Sequence, residues 1–265
     1  IIHKKMLKYP YIIAEGSGPM ENQEKKIEIL KKILDESNYT VVIGGSGMME
    51  ECGYKGIKTP ERAYEIERRY GISPEDIFTS VFYNNRTAQF FEFYRNEMLM
   101  NPPEPTESAY AAAKMEQAGK LQCIIDGNIF EQPQRGGCRN VIPLHGSIYR
   151  NACPHCRKTY SMEYVRDSGK IPRCEDCGRV IRPGVMFFGE MMDSTLMSEA
   201  TRQIESAEVL LLLGTSMDSD VFSKYVKYFD GGKLVIIHKN HHDLDEKADL
   251  VILDEPKNVL SKLGY

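Results

Sequence analysis

Four of the seven cysteines fall into two Cys-x-x-Cys pairs that could hold a metal ion. Cys153 and Cys156 form the first pair, Cys174 and Cys177 form the second, and seventeen residues separate the pairs. Each pair can form a tight turn with both thiolates on one side, and two such turns complete a tetrahedron around Zn²⁺. Because four thiolates fill every position, we predict one structural zinc ion per chain with no activated water. Two redox-active dithiols or two local disulfides are the alternative.

A single histidine lies in a position suited to proton transfer. His145 follows a predicted strand, precedes Gly146 and comes just before the cysteine pairs. Imidazole exchanges protons near neutral pH, and ligands of open α/β sheets bind at the carboxyl ends of strands. We therefore interpret His145 as a catalytic base, with a purely structural histidine as the alternative.

A glycine-rich turn follows the first predicted strand. The strand at 39–43 leads directly into Gly44, Gly45, Ser46 and Gly47. We expect the backbone N–H groups of this turn to be free to face a pyrophosphate, although short glycine clusters after strands are also common turns. The acidic residues at 50 and 51 are expected to point to solvent.

These residues must be positioned by alternating helices and strands. Helices are predicted from amphipathic spacing, and strands from short apolar runs rich in Val, Ile and Leu. The predicted strands are 39–43, 121–125, 209–213, 234–237 and 250–253, with a further one before His145. The predicted helices are 21–37, 60–70, 90–94, 108–118, 196–207, 222–229 and 258–263. This alternation predicts an α/β fold in which helices cover both faces of a parallel sheet. The pattern stops between Asn151 and Val185, where we expect the metal to substitute for a core.

The composition excludes several classes of protein. Of the 265 residues, 42% are hydrophobic and 27% charged, and the net charge of -4 offers no footprint for nucleic acid or an anionic membrane. Apolar runs fall far short of the roughly 20 residues of a membrane helix. The first residues lack the order of a secretory signal, so we expect a cytoplasmic protein. Cys52, Cys123 and Cys138 are isolated and are expected to be small core residues.

Several motifs, taken in order, resemble the sirtuin family of NAD-dependent protein-lysine deacylases, as a divergent bacterial-type member. The segment 141–147 is similar to the family's V-I-E-L-H-G-S, whose histidine is the general base, and the cysteine pairs follow at the family's position. The segment 182–190 is similar to R-P-x-V-V-x-F-G-E. There the resemblance implies that Met186, Phe188, Gly189 and Glu190 bind the acyl-lysine and its backbone. The resemblance extends from about residue 39 to residue 252.

The resemblance also implies an NAD site. Gly214, Thr215 and Ser216 match the family's G-T-S turn beside the adenosine ribose, and Gly45, Ser46 and Gly47 fall on its G-A-G turn. His238 falls on the family's I-N turn at the adenine end. A second metal site at His238, His241 and His242 is the less favoured alternative.

Two stretches depart from the family pattern. Residues 126–130 fall on T-Q-N-I-D, where Asn128 is kept and would hold the NAD ribose and the catalytic water, and Ile129 is also kept. Phe130 replaces the Asp that accepts a hydrogen bond from the nicotinamide carboxamide, and Gly127 replaces Gln. Residues 52–58 fall on S-G-I-P-x-F-R, where Ile57 replaces Phe and Lys58 replaces the Arg near the phosphates.

The resemblance implies a Rossmann-like NAD-binding domain and a small helical, zinc-binding domain. We expect the first to comprise 1–54, 106–149 and 185–265, and the second 55–105 and 150–184. The implied activity is NAD-dependent removal of acyl groups from lysines of a protein or peptide, giving nicotinamide and O-acyl-ADP-ribose. NAD glycohydrolysis or ADP-ribosyl transfer, and non-catalytic binding of NAD or ADP-ribose, are the alternatives. The aromatic run 82–94 is expected to pack a core, or otherwise to cover the acyl group.

Overall fold

A six-stranded, fully parallel sheet forms the centre of the protein. The computed structural model describes residues 19–265; residues 1–18, including those inspected for a targeting signal, lie outside the described residues. The strand order is β3-β2-β1-β6-β7-β8. The strands are β1 Thr40–Gly44, β2 Cys123–Asp126, β3 Val141–Pro143, β4 Asn151–Ala152, β5 Thr159–Tyr160, β6 Val209–Leu213, β7 Lys233–His238 and β8 Leu250–Leu253.

The order in which the chain adds strands to the sheet reverses beside β1. From β1 the chain adds β2 and β3 on one side, then returns to place β6, β7 and β8 on the other side. A crevice opens outside the carboxyl ends of the strands at such a reversal, and ligands of open α/β sheets bind there. The glycine turn, Asn128, His145 and the Gly214 turn all follow carboxyl ends of these strands.

Helices pack against both faces of the sheet, as the sequence predicts. The α-helices are α1 Pro19–Glu36, α2 Gly47–Glu50, α3 Pro60–Tyr70, α4 Pro74–Ile77, α5 Ser80–Asn85, α6 Thr87–Tyr94, α7 Glu107–Gln117, α8 Gln132–Gly136, α9 Met162–Asp167, α10 Ser194–Ser206, α11 Ser223–Val226 and α12 Pro256–Leu260. A π-helical turn spans Arg95–Leu99 and a 3₁₀ helix spans Asp243–Lys247. Helices α1, α7 and α12 share a core with one face of the sheet, and α10 and α11 share a core with the other. Because side chains alternate along a strand, Leu211 packs in the first core and Leu212 in the second.

A separate core holds the aromatic run and one cysteine of each pair, Cys153 and Cys174. Phe90, Phe91, Phe93 and Tyr94 are fully buried there together with Cys153 and other residues. Core packing, the favoured interpretation of this run, is therefore confirmed. The limits of the two domains stay a prediction.

The stretch between Asn151 and Val185 contains more regular structure than its sequence indicates. Strands β4 and β5 pair antiparallel, and helix α9 begins where the Ser161 hydroxyl accepts a hydrogen bond from the Tyr164 N–H, 3.2 Å away. This serine cap supplies an acceptor to an otherwise unpaired helix donor. Among residues 19–265, no helix combines the length and the apolar character needed to cross a membrane.

Candidate active site

His145 is held by one backbone hydrogen bond. Its Nδ1 lies 2.7 Å from the carbonyl oxygen of Gly127. A carbonyl can only accept, so Nδ1 carries the proton, and the neutral ring has its free lone pair on Nε2. Burial lowers the pKa of His145 below its ordinary value, and the Gly127 carbonyl opposes this only in part. The imidazole is therefore neutral and basic at physiological pH.

The walls of one cavity bring together many of the predicted site residues. This cavity, of about 580 Å³, lies between the carboxyl ends of the strands and the aromatic core, and we call it the catalytic cavity. Its lining includes Ser46, Lys58, Asn128, Ile129, Phe130, His145, Met186 and Phe188. The structure thus brings these predicted residues together around one space with His145.

Phe130 and Tyr54 form an aromatic wall of the catalytic cavity. Phe130 is only 3% exposed, and its ring centroid lies 4.8 Å from that of Tyr54 in an edge-to-face arrangement. Ile57 is buried beside them. This wall offers contact area but no carboxylate acceptor.

A second cavity of about 360 Å³ adjoins the catalytic cavity. We call it the adenosine-side cavity. Ser46 and Glu50 line both cavities, so the two form an elongated space. The predicted cofactor residues that line it are Ser46, Gly47, Gly214, Thr215, Ser216 and His238. Gly45 lies behind this lining, where an added Cβ would be 2.4 Å from that of Thr215.

The glycine turn corrects one prediction about its N–H groups. Gly45 N–H donates to the Leu213 carbonyl at 2.9 Å, and Gly47 N–H donates to the Gly214 carbonyl at 2.8 Å. These donors bind the turn to the end of β6 and to Gly214 directly after it, and they are not free for a pyrophosphate. Among the residues that the structure describes, the Ser46 N–H has no such partner, and Ser46 lines both cavities.

The expectation for residue 51 was wrong. Glu51 is 6% exposed, and it accepts hydrogen bonds from the hydroxyls of Thr106 and Ser108 and from Lys257 N–H. It ties α2 to α7 and α12. Glu50, in contrast, is exposed and lines both cavities.

Two residues that were predicted to contact a ligand, Lys58 and Glu190, form ion pairs with other side chains of the protein. Lys58 Nζ lies 3.0 Å from a carboxylate oxygen of Glu75, although Lys58 still lines the catalytic cavity. Glu190 accepts two hydrogen bonds from Arg182, both 2.9 Å, one from Phe187 N–H at 2.7 Å and one from Ser80. The Glu190 carboxylate thus braces the segment 182–190 from within.

Gly189 and Glu190 lie at the edge of a neighbouring open cavity. This cavity, of about 580 Å³, shares Phe188 with the catalytic cavity. Phe188 N–H donates to the Phe78 carbonyl at 2.8 Å. The stretch 186–190 therefore lines both cavities, with Met186 at one end and Glu190 at the other.

His238 is paired with a buried carboxylate. Its Nε2 lies 3.0 Å from Asp245 Oδ2, and its ring stacks on His242 with centroids 4.9 Å apart. Within the described part of the chain, His238 Nδ1 is buried without a hydrogen-bond partner. Burial lowers the pKa of His238, and the Asp245 carboxylate opposes that shift. Within residues 19–265, the side chains of His238, His241 and His242 do not form a group of three or more potential metal ligands, whereas the four cysteines do.

The four cysteines of the two pairs meet in one cluster. Their sulfur atoms all lie within 4.8 Å of one another, and two cross-pair distances, Cys153 to Cys177 and Cys156 to Cys174, are 3.4 Å. Four converging thiols are a donor set that suits tetrahedral Zn²⁺. We call the tight turn formed by each Cys-x-x-Cys pair a knuckle. Lys158 Nζ lies 3.0 Å from a carboxylate oxygen of Glu175 and 2.8 Å from one of Asp176, the two residues inside the second knuckle. The isolated Cys123 and Cys138 are buried, and Cys52 is half-buried.

The fold and the site define a class of protein: a parallel α/β sheet with an elongated cavity where its strand order reverses, a half-buried neutral histidine in that cavity, and a cluster of four thiols. Residues 45–220 match the family model described as the Sir2 family. The chain belongs to the Sir2 family, the sirtuins.

The sequence similarity to known proteins covers almost the whole chain. An NAD-dependent protein deacetylase of Clostridium acetobutylicum is 36% identical over 236 residues, which cover 89% of this chain and 96% of the relative. One of Clostridium tetani is 32% identical over 241 residues, covering 89% and 98%. A structure described as the structural basis of sirtuin substrate affinity superposes with a TM-score of 0.81 at 27% identity, covering 89% and 97%. One described as Sir2 with a p53 peptide and NAD+ gives 0.73 at 27% identity, covering 89% and 95%.

Proposed function

We propose that this protein uses NAD to remove acyl groups from lysine side chains of proteins, releasing nicotinamide and O-acyl-ADP-ribose. One observation carries the proposal: His145 is neutral, its Nδ1–H is held by Gly127, and it lines the catalytic cavity. A non-catalytic binder of NAD needs no such base. Relatives with this family's sequence are named NAD-dependent protein deacetylases.

NAD, as co-substrate, supplies the ribose carbon to which the acyl oxygen adds as nicotinamide leaves. In this chain, His145 Nε2 would accept a proton from a ribose hydroxyl. Asn128 would contact the same ribose and the water through its side-chain oxygen. The apolar wall of Ile57, Phe130 and Tyr54 would keep other water out, since positive charge develops at the ribose carbon.

The remaining predicted residues divide between the two ends of NAD and the peptide. Gly45, Ser46, Gly47 and Lys58 would lie along the phosphates, and Gly214, Thr215, Ser216 and His238 would hold the adenosine half. Ile129 and Phe130 would border the nicotinamide. Met186, Phe188 and the backbone of Gly189 and Glu190 would hold the acyl-lysine. The support for this assignment is that these residues line connected cavities, with Gly45 directly behind them.

The domain division is part of the proposal. We assign 19–54, 106–149 and 185–265 to the NAD-binding domain, together with 1–18, which lie outside the described residues. Residues 55–105 and 150–184 form the small domain, which Cys153, Cys156, Cys174 and Cys177 stabilise by holding Zn²⁺. The division of hydrophobic clusters between the sheet and the aromatic core supports it.

One assay separates this function from its alternatives. The protein is incubated with NAD, with and without an acetylated peptide, and nicotinamide release is followed. Release that requires the peptide is expected. Equal release without peptide would instead indicate NAD glycohydrolysis, and no release in either case would indicate a binding protein.

A variant of the base tests the assignment of His145. His145→Ala is expected to abolish deacylation of the peptide, measured as deacylated peptide formed, while NAD still binds, measured by calorimetry. His241→Ala is the matched control, because His241 is exposed and lies outside the cavity linings. Full turnover by His145→Ala would overturn the mechanism.

A further inference from the structure

Asp126 is a buried carboxylate without a cationic partner. It ends strand β2 and is 1% exposed. No Lys, Arg or His of residues 19–265 forms an ion pair with it. Buried acids are rare unless they are paired or perform a task. The site described above gives this side chain no part in binding NAD or peptide.

The side-chain hydrogen bonds that Asp126 forms within the described residues are both with Asn128. Asp126 Oδ1 accepts a hydrogen bond from Asn128 N–H at 2.9 Å and another from Asn128 Nδ2 at 3.0 Å. The first is an Asx turn, in which a side chain fixes the backbone two residues on. It spans Gly127, a residue type with little conformational restriction of its own. Asp126 thus stiffens the segment that also presents the Gly127 carbonyl to His145.

The same contacts determine which way the Asn128 amide faces. Nδ2 also donates to the Gly45 carbonyl at 3.0 Å, so both of its hydrogens are used by protein acceptors. A flipped amide would place Oδ1 against two acceptor oxygens, which repel it. Asn128 lines the catalytic cavity, and Oδ1 is therefore the one amide atom left to accept a hydrogen bond from a ligand there.

We propose that Asp126 is a positioning residue that locks Asn128 with its Oδ1 toward the ribose and the water. This rests on the proposed function, because the lock matters for turnover only if Asn128 contacts NAD. The family segment T-Q-N-I-D has Thr at the position of Asp126. A carboxyl oxygen that accepts two N–H groups suits a segment in which Gly127 replaces the bulkier Gln.

The orientation survives protonation of Asp126. Burial raises its pKa to about 7, and the charge of Glu131 raises it further, while the N–H groups of Asn128 oppose the shift. Burial and the charges of Glu116 and Asp126 raise the pKa of the Cys138 thiol. Within the described residues Asp126 Oδ2 has no partner, so the proton resides there and Oδ1 still accepts. Asp126→Asn has the same acceptor and is the conservative variant.

Steady-state kinetics with four variants test the lock. Asp126→Ala is expected to lower kcat about 10-fold to 100-fold with little change in the KM for peptide, as misplacement of a positioned group does. Asp126→Asn is expected to recover most of the loss. In the Asn128→Ala background, adding Asp126→Ala is expected to cost much less than it does in wild type, because only the hydrogen bond from the residue 128 N–H is left to lose. Losses that multiply in the double variant, or equal losses in the two Asp126 variants, would overturn the proposal.

NMR provides a readout that does not depend on activity. In isotope-labelled wild type, the side-chain NH₂ signal of Asn128 is expected to shift with a midpoint at about pH 7, following Asp126. In Asp126→Asn the shift is expected to vanish, with a melting temperature showing that the variant is folded. Asn128 side-chain NH₂ signals that are the same in wild type and in Asp126→Ala would overturn the lock, because that variant removes the acceptor for one of the two hydrogens. Wild type that releases no nicotinamide would overturn the proposed function alone.

Discussion

The ring of Phe222 fills the space that a side chain at position 127 would need. A Cβ added to Gly127 would lie 2.7 Å from Cζ of Phe222, which is shorter than carbon atoms tolerate. Phe222 is 3% exposed and lies in the loop between β6 and α11. Since the Gly127 carbonyl orients His145, Phe222 helps to fix the segment that holds this histidine.

Gly127→Ala is expected to destabilise the protein, because the methyl group must displace Phe222. Overpacking of this kind costs about 1–3 kcal/mol. Denaturant unfolding measures the loss. Phe222→Leu in the same chain is expected to relieve part of it, although that change alone is destabilising. Equal stability of wild type and Gly127→Ala would show that the contact is not tight.

The pH dependence of turnover is expected to follow His145. Burial favours the neutral imidazole, so the folded pKa lies below the ordinary 6.5. The base is thus active through neutral pH, and kcat is expected to fall only as the pH drops through that lowered pKa. The same acid limb is expected in Asp126→Asn, because Asp126 acts through Oδ1 in either protonation state. A limb centred above pH 7 would assign the base to another group.

Local sequence patterns predict the elements around the site because burial alone determines them. The central strands β1 and β6 are fully buried and consist mostly of Val, Ile and Leu, and the structure places them within one residue of their predicted limits. The cysteine spacing likewise predicts the thiol cluster, because each knuckle is local. The family motifs then predict which strand ends meet.

Contacts between distant segments explain what the sequence does not predict. Glu51 resembles a surface acid, but Ser108 and Lys257, 57 and 206 residues away, bury it. The N–H groups of Gly45 and Gly47 are bound to the last residue of β6 and to Gly214 after it, which no local pattern indicates. Asp126 and Phe222 were also missed as parts of the site. The only signal for Asp126 was an acid ending an apolar strand.

Asp126→Asn is expected to change how stability depends on pH. The folded carboxyl loses its proton at about pH 7, whereas an unfolded Asp loses it near 3.9. The folded state therefore binds more protons between these values, and wild-type stability falls as the pH rises through them. The variant lacks this pH-dependent contribution to the free energy of unfolding, which is on the order of 4 kcal/mol when complete.

Chemical unfolding at a series of pH values checks this. The stability of Asp126→Asn relative to wild type is expected to rise from pH 4 to pH 7 and then to level off. A difference that stays constant with pH would show that Asp126 titrates normally.

Loss of a zinc ligand is expected to unfold the knuckles. Zinc binding in small thiolate sites contributes about 10–16 kcal/mol, so Cys174→Ser is expected to lose the metal and to melt earlier. Zinc content per chain and thermal unfolding measure both effects. Cys52→Ser is the matched control, since Cys52 is half-buried and outside the cluster. Zinc loss from both variants alike would contradict the assignment.

Phe130 is expected to weaken inhibition by nicotinamide. Its ring offers no acceptor to a carboxamide, whereas the family's Asp does. Phe130→Asp is therefore expected to tighten nicotinamide inhibition about 3-fold to 10-fold, the worth of one hydrogen bond. Phe130→Leu is the matched control, because it also removes the edge-to-face contact with Tyr54 but adds no acceptor. Inhibition constants are measured at saturating peptide. If both variants respond equally to nicotinamide, the acceptor at this position does not recognise the carboxamide, and the aromatic wall alone determines how nicotinamide binds.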